Sequence, residues 1–188
     1  ICIANLELIR QIIIPSVPIT NKKETFYIEF REFPHSEYLI RNMLIKLPDW
    51  SHSVVCGNNN FDSTKDICQR ISSRIKVIKL DIDNLNTSEY SELLMTKEFW
   101  NNFYGEKLLL YQEDSFIFHN RINKYLKYDW VGAPWPPHQN EHIRQVEYGV
   151  GNGGFSLRTK SKMIECIEKI NWKTDIECPS GVKEYMVN

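Results

Sequence analysis

Short apolar runs alternate with longer periodic stretches along most of the chain. Thr25 to Phe30, Ser53 to Cys56 and Ile75 to Leu80 are dense in aromatic and β-branched residues and too short for helices, so they read as buried strands. From Pro34 to Lys46, the residues Tyr38, Ile40, Met43 and Leu44 fall on one helical stripe. Gly57 to Asn60 forms a turn, and Asp62 or Ser63 can cap a helix reaching about Arg74. Asn84 to Tyr90 is polar and reads as a connector into one or two short helices through Thr96 to Phe103, with Trp100 turned inward. Strands alternating with helices predict an α/β, Rossmann-like domain with a mainly parallel sheet and helices on both faces.

One break in the apolar pattern carries candidate chemistry. Leu108 to Tyr111 and Phe116 to Phe118 both read as strands, yet Gln112, Glu113 and Asp114 stand between them. Carboxylates between buried strands are costly unless a cation or a polar ligand compensates. The segment is therefore a candidate metal site, and the competing reading is an acidic pair capping a strand end or turn. Tyr128 to Pro137 follows as a short strand running into a Gly/Pro-stiffened loop, with Trp130 in the strand and Trp135 on the loop. Val150 to Arg158 reads as a glycine turn, followed by a helix from about Thr159 to Ile170. Gly153 and Gly154 would let backbone approach a ligand closely.

Three pieces in this order, YQEDSFIF (111–118), YDWVGAPWP (128–136) and GNGGFSLR (151–158), resemble the catalytic half of a GT-A glycosyltransferase. They are more closely similar to a glycosyltransferase-like domain family that carries Gln-x-Asp-Ser, Gly-Ala-Pro-Trp and Gly-Asn-Gly-Gly motifs. GNGGFSLR also resembles, loosely, the Gly-Gly-Ala-Gly-Tyr motif of fringe-like galactosyltransferases. The resemblance runs from about Glu24 to Arg158.

The resemblance implies transfer of a sugar from a nucleotide-sugar donor, a UDP-sugar by expectation, to a glycan, protein or small-molecule acceptor. It carries the DXD positions onto Gln112, Glu113 and Asp114, with Asp114 the main metal ligand, Gln112 on the ribose, and Glu113 either a water-mediated ligand or a support for the ligands that does not touch the metal. Oxygen ligands of this kind suit Mn²⁺ or Mg²⁺. Gln112 stands where the family pattern usually has Asp, which removes one charge from the site. Arg31, at the end of the first strand, either reaches the nucleotide or pairs with a neighbouring Glu. Trp135 offers a flat face to a sugar or acceptor. Asn152 either bonds a sugar hydroxyl or completes the glycine turn in a left-handed conformation. No catalytic base is identified: Asp175, Glu177 and Glu184 lie in the right region but read as surface charges. His119 is a weak candidate ligand, His138 and His142 lie in a polar loop, and the C-terminal histidine of many GT-A enzymes is not visible. A scaffold that binds a sugar or nucleotide without catalysis, and a nucleotidyltransferase, are the competing readings.

Composition narrows the field. The 188 residues, 42% of them hydrophobic, suffice for one core, so residues 1–188 are read as one glycosyltransferase-like domain with 1–23 as an N-terminal extension. A net charge of -1 supplies no broad basic field for nucleic acid. No apolar run has the length of a membrane span. Cys2, Cys56, Cys68, Cys166 and Cys178 show no zinc spacing, and their odd, scattered number favours a reducing compartment, the cytoplasm. Cys56 and Cys166 read as small core residues. The initial Ile1 leads to the expectation of a fragment or of one domain of a longer protein, and the resemblance, whose inverting members place an acidic base beyond the last helix, to the expectation that the C-terminal part is lacking. Abundant Ile, Asn and Lys suggest an AT-rich, even viral, origin, for which the compartment would be host cytoplasm.

Overall fold

Alternate residues of the first strand, β1 (Lys23–Ile28), point into two different cores. Phe26 and Ile28 pack with Val55, Ile78, Leu108 and Leu110, while Tyr27 packs on the other face with Val54, Leu109, Tyr111 and Leu157. A strand buried on both faces belongs at the centre of a sheet covered by two helical layers. The computed structural model describes residues 2–134, 152–171 and 174–175 and has that architecture.

Six strands form one sheet: β1, β2 (Ser51–Cys56), β3 (Lys76–Lys79), β4 (Lys107–Tyr111), β5 (Trp130–Ala133) and β6 (Asn152–Thr159), in the order β3-β2-β1-β4-β6-β5. β1 pairs in parallel with β2 and β4, and β2 with β3, whereas β6 runs antiparallel to both β4 and β5. The Tyr27 face is covered by α2 (Ser36–Lys46) and α3 (Phe61–Ile71), which contribute Leu39, Ile40, Met43, Leu44 and Cys68. The Phe26 face is covered by α4 (Thr87–Leu94), α5 (Lys97–Asn101) and α6 (Lys160–Lys169). Phe26 meets Phe99, Trp100 and Phe103 there, and the Phe26 and Phe103 rings lie 4.3 Å apart. Burial of each such ring contributes about 2 to 3 kcal/mol relative to exposure. The Trp100 indole N–H donates to the Leu94 carbonyl at 2.8 Å.

The N-terminal segment is tied to the helical layer by charge. Within it α1 (Leu6–Arg10) brings Arg10 to the buried carboxylate of Glu37 on α2, where the Arg10 Nε donates at 3.0 Å. Arg41 Nε donates to the same carboxylate at 2.9 Å and Arg70 lies at 3.6 Å. These cations hold Glu37 well below the usual carboxylate range, at about 2. Two interior titratable side chains are likewise satisfied. His52 bridges Thr25 and Tyr111, and burial pushes its pKa down to about 3, so it is a neutral spacer. The Glu24 carboxylate accepts from Ser53 and from the Gly105 amide.

Several expected elements come out differently. Phe116 to Phe118 is not a strand, because Asn42 captures both backbone groups of Ile117, donating to its carbonyl at 3.1 Å and accepting from its N–H at 3.0 Å. The connector expected over Asn84 to Tyr90 already contains the start of α4. Asn86 and Glu89 close a reciprocal capping box there. The supposed glycine turn is the start of β6, and no described residue has a positive φ. Antiparallel pairing of Ser156, Leu157 and Arg158 with Leu110, Leu109 and Leu108 extends the segment. Asp62 and Ser63 lie inside α3, whose N-cap position is Asn60, and the helix ends at Ile71. Cys166 is exposed, since α6 turns Met163, Ile164 and Ile167 to the sheet instead. Cys2, Cys56 and Cys68 are also free thiols. No helix among the described residues is long and apolar enough to cross a membrane.

Candidate active site

Strand order reverses direction between β1 and β4, and their carboxyl ends diverge there. Such a switch point leaves a crevice by construction. An open cleft of about 640 Å³ occupies it, bounded by Glu29 and Arg31 after β1, Gln112 to Asp114 after β4, and Gly153, Gly154 and Arg158 of β6. α4 supplies the remaining wall, including Tyr90 and Ser91. The sheet thus gathers Arg31, Gln112, Glu113, Asp114, Gly153 and Gly154, which are distant in sequence, around one space.

The rim is braced by a carboxylate and a guanidinium. Glu29, only 6% exposed, accepts from Arg31 Nε at 2.8 Å and Nη2 at 2.9 Å, and from the Phe30 and Arg31 amides. Arg31 Nη2 also reaches Glu113 Oε1 at 3.2 Å, which links the ends of β1 and β4. Arg31 is therefore both cleft-lining and paired with glutamates, and these partners hold its proton more firmly than usual. His35 Nε2 lies 3.0 Å from the Glu113 carbonyl oxygen and steadies the same turn. The Asn60 amide donates to the Glu29 and Arg31 carbonyls at 2.8 and 3.1 Å, so the asparagine after β2 fixes the loop after β1.

Gln112 to Ser115 is a tight turn. The Ser115 amide donates to the Gln112 carbonyl at 3.0 Å, and its hydroxyl donates to Asp114 Oδ1 at 3.3 Å. Asp114 is exposed and has no ion pair among the described residues. No three His, Cys, Asp or Glu side chains among the described residues converge as a closed metal site. The chemistry of Asp114, a single exposed carboxylate, fits a hard divalent ion only where other oxygen ligands would complete its shell. Glu113, held by Arg31, stands beside it.

Trp135, His138, His142, Glu177 and Glu184 lie outside the described residues, as does the side chain of Asn152. His119 is exposed and does not line the cleft. Asp175 accepts from the Asn171 amide at 2.9 Å and from the Thr174 hydroxyl at 2.8 Å, which makes it a turn-closing residue beyond α6. These hydrogen bonds lower its pKa.

Two cleft residues were not expected from the sequence. Arg158 is 8% exposed, and its Nε donates to Ser156 Oγ at 3.0 Å. Its Nη2 lies 3.3 Å from the Gly153 carbonyl oxygen, and its guanidinium carbon is 5.5 Å from the Trp100 ring centre. A Cβ at Gly153 would come within 2.9 Å of that Nη2, so the glycine there makes room for the guanidinium. The hydroxyl of Tyr90 is buried without a hydrogen-bond partner among the described residues. The sequence signal for Arg158 was strand alternation through Ser156, Leu157 and Arg158, which a glycine-turn reading of the segment hides.

Residues 74–186, more than half of the chain, match the family described as Protein of unknown function (DUF5672). No curated protein matches the sequence. Among solved structures the chain is similar to a 4-diphosphocytidyl-2C-methyl-D-erythritolsynthase from Anaerococcus prevotii DSM 20548, at 10% identity and a TM-score of 0.51 over 89% of this chain and 84% of that one. It is also similar to a candidate nucleotide-diphospho-sugar transferase from Desulfovibrio desulfuricans G20, at 12% identity and a TM-score of 0.46 over 84% of this chain and 71% of that one. At 10% identity the first likeness shows a shared fold.

Proposed function

The chain belongs to the DUF5672 family, and from that premise we propose that it is a metal-dependent glycosyltransferase that binds a nucleotide-sugar, a UDP-sugar by preference. The observation that carries this reading is the switch-point cleft with Asp114 exposed at its rim and free of any ion pair among the described residues. The name of the solved relative with the same fold, a diphosphocytidyl compound synthase, points to nucleotide chemistry on this scaffold.

In this reading Asp114 anchors Mn²⁺ or Mg²⁺ and Gln112 hydrogen-bonds the ribose. The chemistry such an ion supplies is neutralisation of the charge that develops on the departing diphosphate. Glu113 cannot swing freely toward the ion, because Arg31 holds it. It acts instead through water, and Glu29 holds Arg31 in place from the interior side. The sugar lies against Gly153 and Gly154, where the absence of side chains permits close approach. Trp135 and Asn152 are assigned to the same sugar or acceptor region. The acceptor is a glycan, a protein or a small molecule, and the protein works in a reducing compartment.

Calorimetric titration of UDP, GDP and CDP, with and without Mn²⁺, tests the reading. Metal-dependent binding of one nucleotide is expected, with Asp114→Ala abolishing the metal dependence. Metal-independent binding unchanged by Asp114→Ala would assign the cleft to a non-catalytic nucleotide-binding domain. Release of pyrophosphate from a nucleoside triphosphate would make the protein a nucleotidyltransferase.

A further inference from the structure

A buried guanidinium ordinarily sits against a carboxylate, because transfer of an uncompensated charge out of water is expensive. Arg158 breaks that pattern. Its partners among the described residues are a serine hydroxyl, a backbone carbonyl and the face of Trp100, all uncharged. The three carboxylates of the cleft are placed elsewhere: Glu29 and Glu113 on Arg31, and Asp114 at the exposed rim. Arginine keeps its proton even where burial opposes it, and burial does lower the Arg158 pKa from its ordinary value. The cleft floor therefore holds a fixed positive charge with donor capacity left over.

A second group at the same floor has the same unfilled character. The Tyr90 hydroxyl is buried, lacks a partner among the described residues and lies within electrostatic range of Arg158, and a turn of its side chain would bring it into the cleft that Tyr90 lines. Burial raises its pKa, so it stays a protonated donor at neutral pH. Arg158 and Tyr90 both line the cleft, beside Gly153 and Gly154. We propose that Arg158 and Tyr90 form an oxyanion-binding subsite at the cleft floor, which takes an anionic oxygen group of the substrate, either a phosphoryl group or a sugar carboxylate. The subsite deepens the nucleotide-sugar reading but does not depend on it, since any ligand presenting such a group would satisfy the same two donors. The planar guanidinium favours two parallel hydrogen bonds to one group. That preference makes Arg158→Lys more than a conservative change.

The test is calorimetric binding of inorganic pyrophosphate, UDP, UDP-glucose and UDP-glucuronate to the full chain and to Arg158→Met, Arg158→Lys and Tyr90→Phe, with thermal unfolding of each in the absence of ligand. Loss of charge-assisted hydrogen bonds predicts binding about 10- to 100-fold weaker in Arg158→Met. Weakening shared by pyrophosphate and all UDP compounds assigns the phosphoryl group, whereas weakening confined to UDP-glucuronate assigns the carboxylate. Arg158→Met should also unfold at the same or a higher temperature without ligand, which a merely structural arginine would not allow. Should that variant fail to fold, Arg158→Lys and Tyr90→Phe give the same readout with smaller perturbation. The proposal is overturned if none of these anions binds the unaltered protein, or if all bind the folded variants with unchanged affinity. Pyrophosphate binding that depends on Arg158, without binding of any nucleotide, would keep the subsite and reject the nucleotide-sugar reading alone.

Discussion

The clamp around Glu37 and the floor of the cleft around Arg158 answer the same physical problem in opposite ways. Each buries a formal charge. At the clamp, Glu37 is 4% exposed and meets Arg10, Arg41 and Arg70, so its cost is met inside the protein. At the floor, Arg158 is 8% exposed and meets only neutral groups among the described residues. Of the other deeply buried carboxylates, Glu29 follows the clamp, bonded to Arg31 and two backbone amides, while Glu24 has no cation beside it among the described residues but has both oxygens hydrogen-bonded, to Ser53 and the Gly105 amide. A sequence that satisfies its buried charges elsewhere and leaves one open at a switch-point cleft marks the open one as a place for a ligand.

The largest expected effect comes from breaking the clamp. Glu37→Ala removes the carboxylate shared by three guanidinium groups and leaves only Arg10 with an anion among the described residues, Glu7, and removal of one member of a buried ion cluster costs about 3 to 5 kcal/mol. Urea unfolding would show a lower midpoint at an unchanged slope. A loss below about 1 kcal/mol would mean that the arginines relax into water and that the clamp is not a buried network.

Acid titrates the same contrast with a somewhat smaller effect. Glu37 has a folded pKa of about 2, below its unfolded value, so its stabilisation is complete above about pH 4.5 and is lost as pH falls toward 2. His52 is held neutral, with a folded pKa of about 3 against an ordinary 6.5. The unfolded chain binds the His52 proton first, so stability should begin to fall below pH 6.5, before any carboxylate titrates. Thermal unfolding from pH 7 to 3 should show a gentle decline and then a steeper one, with the steeper segment reduced in Glu37→Gln. A flat profile between pH 6.5 and 4.5 would contradict the buried, neutral state of His52.

The clamp and the floor were also unequally legible in sequence. Runs such as Ile75 to Leu80 and the stripe of Ile40, Met43 and Leu44 disclosed the parallel strands and α2, because burial imposes its period directly on the residues. The cleft rim was legible too, since Gln112 to Asp114 stand out against apolar neighbours. Pairings between distant segments were not. Nothing near Phe116 announces that Asn42, far away on α2, will take up the backbone of Ile117 and prevent a strand. The glycines before Phe155 suggest a turn until β4 is available to pair with the segment. With that strand unread, the inward direction of Arg158 was hidden. The capping box of Asn86 and Glu89 was present in the sequence, but the surrounding polarity outweighed it.

The smallest effect is the sharpest in sign. Tyr90 and Tyr111 both bury a phenolic hydroxyl, and burial raises the pKa of each. The Tyr111 hydroxyl is 3.0 Å from His52 Nε2, whereas the Tyr90 hydroxyl has no partner among the described residues. Deleting a satisfied buried hydroxyl costs about 1 kcal/mol, and deleting an orphaned one removes a penalty of similar size. Tyr111→Phe should therefore lower stability, and Tyr90→Phe should leave it unchanged or raise it by up to about 1 kcal/mol. Added pyrophosphate should narrow the gap between the unaltered protein and Tyr90→Phe, because a ligand that supplies the missing acceptor binds more tightly to, and so stabilises more, the chain that carries the hydroxyl. If both substitutions destabilise equally without ligand, the Tyr90 hydroxyl is already satisfied and the contrast between clamp and floor rests on Arg158 alone.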